Sequence, residues 1–368
     1  LSVPESLINK RVPFSFMGER LFFDLSRALF SSFKVDDGSR LLLKSLARHG
    51  RLEERRSVED VGCGVGVLGL ALKKRFPAVS LRVSDRDLLA VEMTRHNAAL
   101  NGVELDRAAA ALMDRPEEGA SDLLVCNVPA KAGEGVHEAF LAGLPARVSP
   151  GGLAALVIVS PLEESFRKMI GKTGHSIVYE ERTANHLVLH LEPTPPASGE
   201  GGRHSHFLGA AFRRHGSFTL NKQSYLMDTV YGLPEFDTPS FTVQTASGLL
   251  AKEKLKGRLL CVNPGQGHLP AMLAAQGELS LVGLLSRDLL RLEVSARNLE
   301  LNRPSLPREL FALPGIWETP EPAIRWDWIL LELNPVPGSP ADLGFERLAE
   351  GLETGGSLCV YGRSSEMH

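Results

Sequence analysis

Short apolar runs alternate with amphipathic stretches along most of the chain. In the first half, four runs have the length and composition of buried strands: 57–61, 80–84, 122–126 and 153–159. Apolar residues recur at helical spacing in four further stretches: 38–47, 68–75, 88–100 and 136–146. This alternation predicts an α/β fold, a parallel sheet with helices on both faces. Since ligands bind beyond the carboxyl ends of such strands, chemistry is expected in the segments that follow them.

One stretch interrupts this pattern. Residues 193–206 are rich in Pro, Gly and Ser and contain no apolar side chain larger than Ala, which is typical of a linker. The length of 368 residues also favours two domains. We therefore predict a first domain over residues 1–192, a linker over 193–206 and a second domain over 207–368.

The two predicted domains are related to each other. A shift of 201 residues aligns 56–102 with 257–303 without a gap, and 13 of the 47 positions are identical. The identities fall on one helix and at turn glycines, where Gly64 meets Gly265 and Gly66 meets Gly267. Such self-similarity predicts a tandem duplication.

Composition excludes several classes of protein. With 43% apolar and 23% charged residues, the chain is neither disordered nor collagen-like. Its 41 basic and 44 acidic residues are nearly balanced, so an RNA partner has to be held by local basic patches. Such runs are more often solvated helix faces. The candidate groups are Lys73-Lys74-Arg75, Arg213-Arg214-His215 with Lys222, and Lys252, Lys254 and Lys256 with Arg258.

The cysteines predict a reducing environment. Cys63, Cys126, Cys261 and Cys359 form no CxxC pair and have no His at ligand spacing, so we expect reduced core thiols and no metal site. No run is apolar enough to span a bilayer, and no charged-then-apolar leader opens the chain. We therefore expect a cytoplasmic protein with no membrane partner.

A glycine loop follows the first buried strand. The strand at 57–61 runs into the loop 62–66 and then into a helix, and glycines there let a ligand approach the helix N-terminus. Asp60 stands at the end of this strand and Asp85 at the end of the next. The Asp85 carboxylate is suitably placed to accept both hydroxyl hydrogens of a ribose.

Two cofactors fit this loop. Residues 64–69 read GxGxxG, which together with Asp85 could bind the ribose of NAD. S-adenosylmethionine (SAM) fits better, because Asp60 would attract the cationic end of SAM but repel the pyrophosphate of NAD. The remaining alternative is a structural turn that has lost its ligand.

The strand at 122–126 runs into Asn127-Val128-Pro129-Ala130. Asn127, followed by backbone stiffened by Pro129, can accept hydrogen bonds from an exocyclic amino group and aim its nitrogen at a methyl donor. Catalysis of this type is mostly positioning. The alternative is a simple strand-end turn, since Asn and Pro favour turns. With Asp60 and Asp85 at the neighbouring strand ends, methyl transfer becomes the favoured interpretation.

A wider set of residues carries a resemblance to a known family. The set comprises residues 23–26, 29–32 and 35–42, residues 60–66, Asp85, Asn97, the Asn127 segment, and residues 150–152 and 186–191. As a set, which covers most of residues 20–192, it resembles the two-domain ribosomal RNA guanine-N2 methyltransferases of the "methyltransferase small" type.

The resemblance implies a class I SAM-dependent methyltransferase fold, two tandem Rossmann-like domains, and a guanine amino group of ribosomal RNA as the target. It also implies roles for individual residues. Asn127 would hold the target amine, Asp85 the ribose of SAM, and Asp114 would lie near the adenine. The methionine end of SAM would be lined by Asp60, Gly62, Gly64 and Gly66.

The chain departs from the family at its amine-binding motif, Asn-Pro-Pro-Phe. Val128 replaces the first proline and Ala130 the phenylalanine, so the aromatic that would stack on a flipped-out base is missing from its usual place. Six phenylalanines near the N-terminus include possible substitutes, although we expect them to be core residues around the first helix: Phe14, Phe16, Phe22, Phe23, Phe30 and Phe33. The alternatives are an inactive SAM- or RNA-binding scaffold and an NAD-dependent oxidoreductase.

The second copy has lost the residues assigned to chemistry. The repeat pairs Asp60 with Cys261, Gly62 with Asn263 and Asp85 with Ser286. After the fourth strand of the second half, Glu332 occupies the place of Asn127. We therefore predict a degenerate second domain that acts as a scaffold or in substrate recognition. His268 in its glycine loop is expected to face solvent, and Asn334-Pro335-Val336-Pro337 resembles an amine-binding turn but lies two residues late.

Overall fold

A computed structural model of the chain describes residues 3–30, 32–115, 119–195, 208–253, 255–276, 278–315, 318, 323–333 and 344–362. The chain divides into two compact units, Leu1–Ala210 and Ala211–His368. Most of the predicted linker, residues 196–206, and the motif at 334–337 lie outside the described residues. The domain boundaries at 192 and 207 therefore stay predictions.

The first unit opens with an antiparallel hairpin of β1 (Ile8–Phe16) and β2 (Glu19–Ser26). A seven-stranded sheet follows, formed by β3 (Ser57–Val61), β4 (Ser80–Asp85), β5 (Arg107–Ala110), β6 (Ser121–Asn127), β7 (Val148–Val159), β8 (Ser176–Arg182) and β9 (His186–Glu192). The helices are α1 (Asp37–His49), α2 (Val67–Arg75), α3 (Leu88–Leu100), α4 (Glu134–Arg147) and α5 (Glu163–Thr173). The strand order is β5-β4-β3-β6-β7-β9-β8, with β3 to β7 parallel.

The second unit repeats this plan. It opens with the hairpin β10 (Phe212–Leu220) and β11 (Gln223–Val230). Its parallel sheet contains β12 (Gly257–Val262), β13 (Leu279–Ser286), β14 (Arg308–Ala312), β15 (Trp326–Glu332) and β16 (Leu352–Tyr361). Its helices are α6 (Phe241–Leu250), α7 (His268–Gln276), α8 (Leu289–Asn302) and α9 (Phe345–Glu350). The order β14-β13-β12-β15-β16 matches β5-β4-β3-β6-β7 strand for strand, and the predicted α/β class is confirmed in both units.

Sheet and helices of the first unit bury a common core. Alternate residues of the central strands, such as Val61, Leu124 and Leu156, pack against Phe140 of α4 and Phe166 of α5, and all are buried. The neighbouring residues Leu123 and Val125, whose side chains point to the other face, are also buried, so both faces of these strands are covered, as the apolar runs in the sequence predict. A ligand is therefore expected at the carboxyl ends of the strands and the loops beyond them.

A buried asparagine ties the first hairpin to the glycine loop. Asn97 of α3 accepts a hydrogen bond from the Asp24 backbone NH at 2.8 Å, and its Nδ2 donates to the carbonyls of Asp24 and Val65 at 3.1 and 2.9 Å. Three backbone groups that have no partner in a sheet or helix are thereby satisfied in the interior, where an unmade hydrogen bond is costly. The glycine loop is consequently held between α3 and the hairpin.

Candidate functional site

The glycine loop of the first unit combines one packed glycine with two open ones. Gly62, Gly64 and Gly66 have φ of 72°, 58° and 87°, in the left-handed region. A Cβ on Gly66 would lie 2.9 Å from side-chain atoms of Leu70 and Thr94, so only glycine fits there. No atom of the described residues lies within 4 Å of a Cβ built on Gly62 or Gly64, so a ligand can approach the backbone at both.

Asp85, at the end of β4, faces this loop. Its Oδ2 accepts a hydrogen bond from the Gly64 NH at 3.0 Å, and its Oδ1 accepts one from the Asp87 NH at 2.9 Å. Two backbone donors therefore fix the plane of the carboxylate. An ionised carboxylate only accepts hydrogen bonds, and this is the chemistry that ribose hydroxyls require.

Asp60, at the end of β3, is the most buried acid of the candidate site. It is 1% exposed, and its Oδ2 accepts a hydrogen bond from the Gly69 NH at 2.8 Å. Its Oδ1 is buried and has no hydrogen-bond partner among the described residues. Burial, with smaller contributions from Asp85 and Glu59, raises the pKa of Asp60 to about 7. An unsatisfied carboxylate oxygen beside an open loop suits a cationic group.

Asn127 ends β6, the strand on the other side of β3. Its Nδ2 donates to Asp36 Oδ2 at 2.8 Å and to Ser39 Oγ at 3.1 Å. Asp36 caps α1 and is a site residue that the sequence did not single out; the Asp-x-x-Ser spacing ahead of an apolar helix could have indicated it. Since β3, β4 and β6 are adjacent and parallel, Asp60, Asp85 and Asn127 lie along one edge of the sheet.

The residues after Asn127 have different environments. The Val128 NH donates to the Val157 carbonyl at 2.9 Å, and its side chain packs in the core. The Pro129 carbonyl accepts a hydrogen bond from His137 Nε2 at 3.0 Å, and burial lowers the pKa of His137, so the imidazole that holds this turn is neutral. Ala130 is exposed and adds no aromatic surface. The substitution at 128 therefore leaves the turn formed, whereas that at 130 removes a stacking surface.

Asp114 lies on the β5 side of the candidate site. The end of β5 pairs Ala110 with Asp85, and Asp114 follows four residues later, partly buried. Its Oδ2 is 3.3 Å from the position of a Cβ on Gly209. All eight residues singled out from the sequence therefore lie at or just beyond the carboxyl ends of four adjacent strands.

The N-terminal phenylalanines do not all belong to the core. Phe14, Phe16 and Phe23 of the hairpin are buried, as expected. For Phe30 and Phe33 the expectation is wrong, because they are 77% and 70% exposed. Both lie in the loop between β2 and α1, where no strand or helix pattern turns them inward. That loop leads directly into Asp36.

The corresponding loop of the second unit has different neighbours. Cys261 is buried at the position of Asp60. A Cβ on Gly265 would lie 3.6 Å from Glu332 Oε2 and 3.7 Å from Glu235 Oε2, so two carboxylates lie beside this glycine, whereas Gly64 has no such neighbour among the described residues. Asn263 keeps the left-handed backbone with φ of 56° and donates from its Nδ2 to the Glu332 carbonyl at 3.2 Å. The backbone of the loop is preserved, but its surroundings are not.

The expectation that His268 faces solvent is wrong. His268 begins α7, is 1% exposed, and pairs through Nδ1 with the Tyr225 hydroxyl at 2.9 Å. Its Nε2 donates to the Glu235 carbonyl at 3.0 Å, and burial lowers its pKa. The hairpin covers the start of α7 and encloses the imidazole, a tertiary contact that its position in the loop does not reveal. His268 is a neutral structural residue.

The basic groups are held mainly by intramolecular contacts. Lys73 and Lys74 donate to the backbone carbonyls of Val79 and Asn101. Arg213 pairs with Asp237, and Arg258 with Asp327 and Glu353. Lys254 lies outside the described residues. The part of each patch that the structure describes therefore shows no preorganised phosphate site.

Cys63, Cys126 and Cys261 are buried free thiols, and Cys359 is a partly buried one. Within the described ranges, no group of three or more His, Cys, Asp or Glu side chains could hold a metal ion. No helix in that part of the chain is long and apolar enough to cross a membrane.

Comparison with known families concerns the unit that carries the open loop. Residues 21–184 match the sequence profile of the methyltransferase small domain. This stretch is similar to the methyltransferase small domain. The match includes Asp60, Asp85 and Asn127 but none of the second unit.

Curated proteins are similar to this chain over stretches of similar length. The chain is 36% identical over 134 residues to the ribosomal RNA small subunit methyltransferase C of Hahella chejuensis. It is also 36% identical over 137 residues to the ribosomal RNA large subunit methyltransferase G of Shewanella amazonensis. Each alignment covers 35% of this chain and 37% or 35% of the relative, so the chain spans little more than a third of the curated relatives it matches.

A solved structure extends the likeness beyond the methyltransferase small domain. The 16S rRNA N2 methyltransferase of T. thermophilus, in complex with AdoMet and guanosine, aligns with a TM-score of 0.68 and 20% identity. The alignment covers 97% of this chain and 91% of that one. At this identity the likeness concerns the fold alone, and it confirms the predicted fold class of two tandem Rossmann-like units. Degeneracy of the second unit stays a prediction.

Proposed function

We propose that the chain is a SAM-dependent methyltransferase that acts through its first unit and N-methylates a guanine amino group in ribosomal RNA. One observation carries the proposal: an unsatisfied acid, a fixed acid and an oriented amide, Asp60, Asp85 and Asn127, lie on one sheet edge around an open glycine loop. The methyltransferase small domain and the ribosomal RNA methyltransferases among its relatives support it.

The residues present fit SAM. The buried Asp60 Oδ1, which lacks a partner among the described residues, suits the ammonium at the methionine end. The open backbone at Gly62 and Gly64 leaves room for the methionine, and Asp85 can hold the ribose. We assign Gly66 to the packing of the loop and Asp114 to the adenine side. When bound, SAM supplies an electrophilic methyl group on a sulfonium.

In this proposal the protein accelerates methyl transfer by orienting the target amine rather than by acid or base catalysis. Asn127 Oδ1 accepts a hydrogen from the guanine N2 amine, which orients the nitrogen lone pair towards the methyl group. The turn containing Pro129 is held by His137 and keeps Asn127 at the strand end. With SAM bound, the methyl group would pass from the sulfonium sulfur to this nitrogen, the carbon–sulfur electron pair would remain on the sulfur, and the nitrogen would release its proton to water. Orientation of this kind can supply most of the acceleration.

The RNA has to present an unstacked base to this edge. Ala130 offers no ring, but Phe30 and Phe33 are exposed on the loop that leads to Asp36 and can take that part. Stacking on an aromatic side chain contributes roughly 1–3 kcal/mol per base. A ribosomal RNA substrate also fits the expected cytoplasmic location.

We further propose that the second unit is degenerate and contributes to scaffolding or RNA recognition. The support is chemical: Cys261 and Ser286 replace both acids, and the carboxylates of Glu235 and Glu332 flank Gly265. The second loop therefore lacks the two acids that the proposal assigns to the ammonium and the ribose of SAM, and the carboxylates beside Gly265 would repel the pyrophosphate of a dinucleotide. An oxidoreductase finds no comparable support, since in the first unit Asp60 would face the pyrophosphate of NAD.

Transfer of a radiolabelled methyl group from SAM to ribosomal RNA tests the proposal. Protein-free 16S and 23S RNA and the assembled subunits serve as separate substrates, and nuclease digestion identifies the product nucleoside. N2-methylguanosine in one substrate, absent with Asn127→Ala, is the expected result. SAM binding without transfer to any form of RNA would favour the scaffold, and a different methylated nucleoside would refute the guanine target.

A further inference from the structure

The role proposed for Asn127 requires that the oxygen of its side-chain amide, and not the nitrogen, face the target amine. The guanine N2 amine presents hydrogens, and only the carbonyl oxygen of Asn127 can accept them. If the amide turned by 180°, its own NH2 group would face the amine and two donors would meet. A neighbouring group that fixes the amide therefore matters as much as Asn127 itself.

The structure contains such a group. Both hydrogens of the Asn127 amide nitrogen are engaged, one by Asp36 Oδ2 at 2.8 Å and the other by Ser39 Oγ at 3.1 Å. A carboxylate can only accept. Rotation of the amide would place Asn127 Oδ1 against Asp36 Oδ2, where two acceptors repel each other. The nitrogen is therefore held towards α1 and the oxygen is turned away from it.

Asp36 is itself held rigidly. The same Oδ2 atom accepts a hydrogen bond from the Ser39 NH at 3.0 Å and so caps α1, whose Leu42, Leu43 and Leu46 are buried in the core. A Cβ on Gly38 would lie 2.8 Å from this oxygen and 3.1 Å from the His186 ring, so the carboxylate is closely packed. One carboxylate oxygen joins the helix start to the amide.

We propose that Asp36, assisted by Ser39, is a positioning residue that orients the Asn127 amide so that Oδ1 faces the target amine. The inference rests on the proposed function and deepens it. It assigns the start of α1 to the methyl-transfer site, through a residue that touches neither SAM nor RNA.

The second unit separates the two tasks of Asp36. There Ser240 caps α6 by accepting a hydrogen bond from the Val243 NH at 3.2 Å, and Glu332 stands where Asn127 does. Serine is therefore a sufficient cap at this point of the fold when there is no amide to orient. Asp36→Ser in the first unit keeps a cap of this kind but has too short a side chain to hold Asn127.

Kinetics on the full chain test the inference. We expect Asp36→Ser to lower kcat for RNA methylation about 30-fold with the KM for SAM changed less than about twofold, since positioning rather than cofactor binding is lost. Asp36→Asn retains an acceptor oxygen and should keep most of the activity. In an Asn127→Ala background, Asp36→Ser should cause no further loss, because both act on one amide. Ser240→Ala is the matched control and should match the wild type.

A wild-type kcat for Asp36→Ser would overturn the inference. So would a fall in kcat, when Asp36→Ser is added to Asn127→Ala, as large as the fall that Asp36→Ser causes alone. The Asn127 side-chain amide signal in 15N NMR, assigned by its loss in Asn127→Ala, separates this failure from that of the proposed function. Slow exchange of these amide protons, accelerated by Asp36→Ser, is expected whether or not RNA is methylated. Unchanged exchange in Asp36→Ser would reject the positioning contact. Slow exchange in an enzyme that methylates no RNA would reject the proposed function alone.

Discussion

The two units preserve the same scaffold contacts around different chemistry. In the first, Asn101 Oδ1 accepts from the Phe22 NH and its Nδ2 donates to the Phe22 carbonyl, at 2.8 and 2.7 Å. In the second, Asn302 makes the same pair of bonds to Leu226 at 2.9 and 2.7 Å. Asn97 and Asn298 match in the same way. The asparagines that are identical in the two halves therefore attach the hairpin to a helix in each unit.

A second contact at the hairpin is also shared by the two units, although only its aspartate is identical. Asp24 pairs with Arg11 and His96, whereas Asp228 pairs with His215 and Arg297. Arginine and histidine have exchanged positions around a buried aspartate. Each buried aspartate therefore keeps one arginine partner and one histidine partner, although the residues at both positions differ. The contacts of the hairpin are thus shared by the two units, whereas Cys261, Ser286 and Glu332 stand at the places of Asp60, Asp85 and Asn127.

The largest expected difference between the units concerns the strand ends. Asn127→Ala should lower RNA methylation about 1000-fold, comparable to removal of one transition-state hydrogen-bonding group elsewhere. Glu332→Ala at the corresponding position should change the rate less than about twofold if the second unit is degenerate. Single-turnover rates measure both. Equal losses would show that both strand ends take part in catalysis.

The next difference concerns the ribose acid. Asp85→Ser gives the first unit the residue of the second, and Ser286 still accepts a hydrogen bond from the Asp288 NH at 3.1 Å. Serine at 85 can keep that turn contact but loses the charged acceptor. We expect SAM affinity to fall about 100-fold, as charged hydrogen bonds contribute about 1.5–3 kcal/mol each. Ser286→Ala should leave the SAM affinity unchanged, and calorimetric titration measures both variants. An equal fall in SAM affinity for Ser286→Ala would argue against Asp85 as the acid that holds the ribose.

For the scaffold asparagines the two units should behave alike. Asn97→Ala and Asn298→Ala each remove three buried hydrogen bonds, so each should lower the free energy of local opening by about 2 kcal/mol. Hydrogen exchange of β2 and β11 measures the two effects separately. A lower free energy of local opening in Asn97→Ala but not in Asn298→Ala would show that Asn97 does more than attach the hairpin to the helix.

The smallest effect is the pH dependence of SAM affinity. With its pKa raised to about 7, Asp60 is mostly protonated at pH 6 and ionised at pH 7.5, and the ionised form attracts the ammonium of SAM. Affinity should therefore rise roughly eightfold between these values, following the ionised fraction. Asp60→Asn should abolish the slope, and an unchanged slope would exclude Asp60 as its source.

The raised pKa of Asp60 also makes the stability of the folded protein depend on pH. Because the pKa of Asp60 in the folded protein lies above the ordinary aspartate value of 3.8, its stabilising contribution is complete below pH 3.8 and is lost as the pH rises to about 7. Asp60→Asn should remove this trend from chemical denaturation curves.

Local patterns predicted much of this fold. The strand at 57–61 and the helix at 88–100 have the predicted bounds, because apolar runs and the Asp87 cap determine them locally. The hairpins escaped prediction because their strands are only half-buried and pair outside the main sheets.

Tertiary contacts limited the prediction of the site. Asp60, Asp85 and Asn127 could be placed at one sheet edge from strand order alone. Asp36 could not, since its contact with Asn127 spans 91 positions of sequence. His268 was misjudged because a distant hairpin residue, Tyr225, encloses it.

The stoichiometry of SAM binding tests the central claim most directly. Calorimetric titration of the full chain should give one SAM site per chain, strongly weakened by Asp85→Ser and unaffected by Ser286→Ala. Two equivalent SAM sites, or NAD binding with no SAM binding, would contradict the division between a cofactor-binding first unit and a degenerate second one.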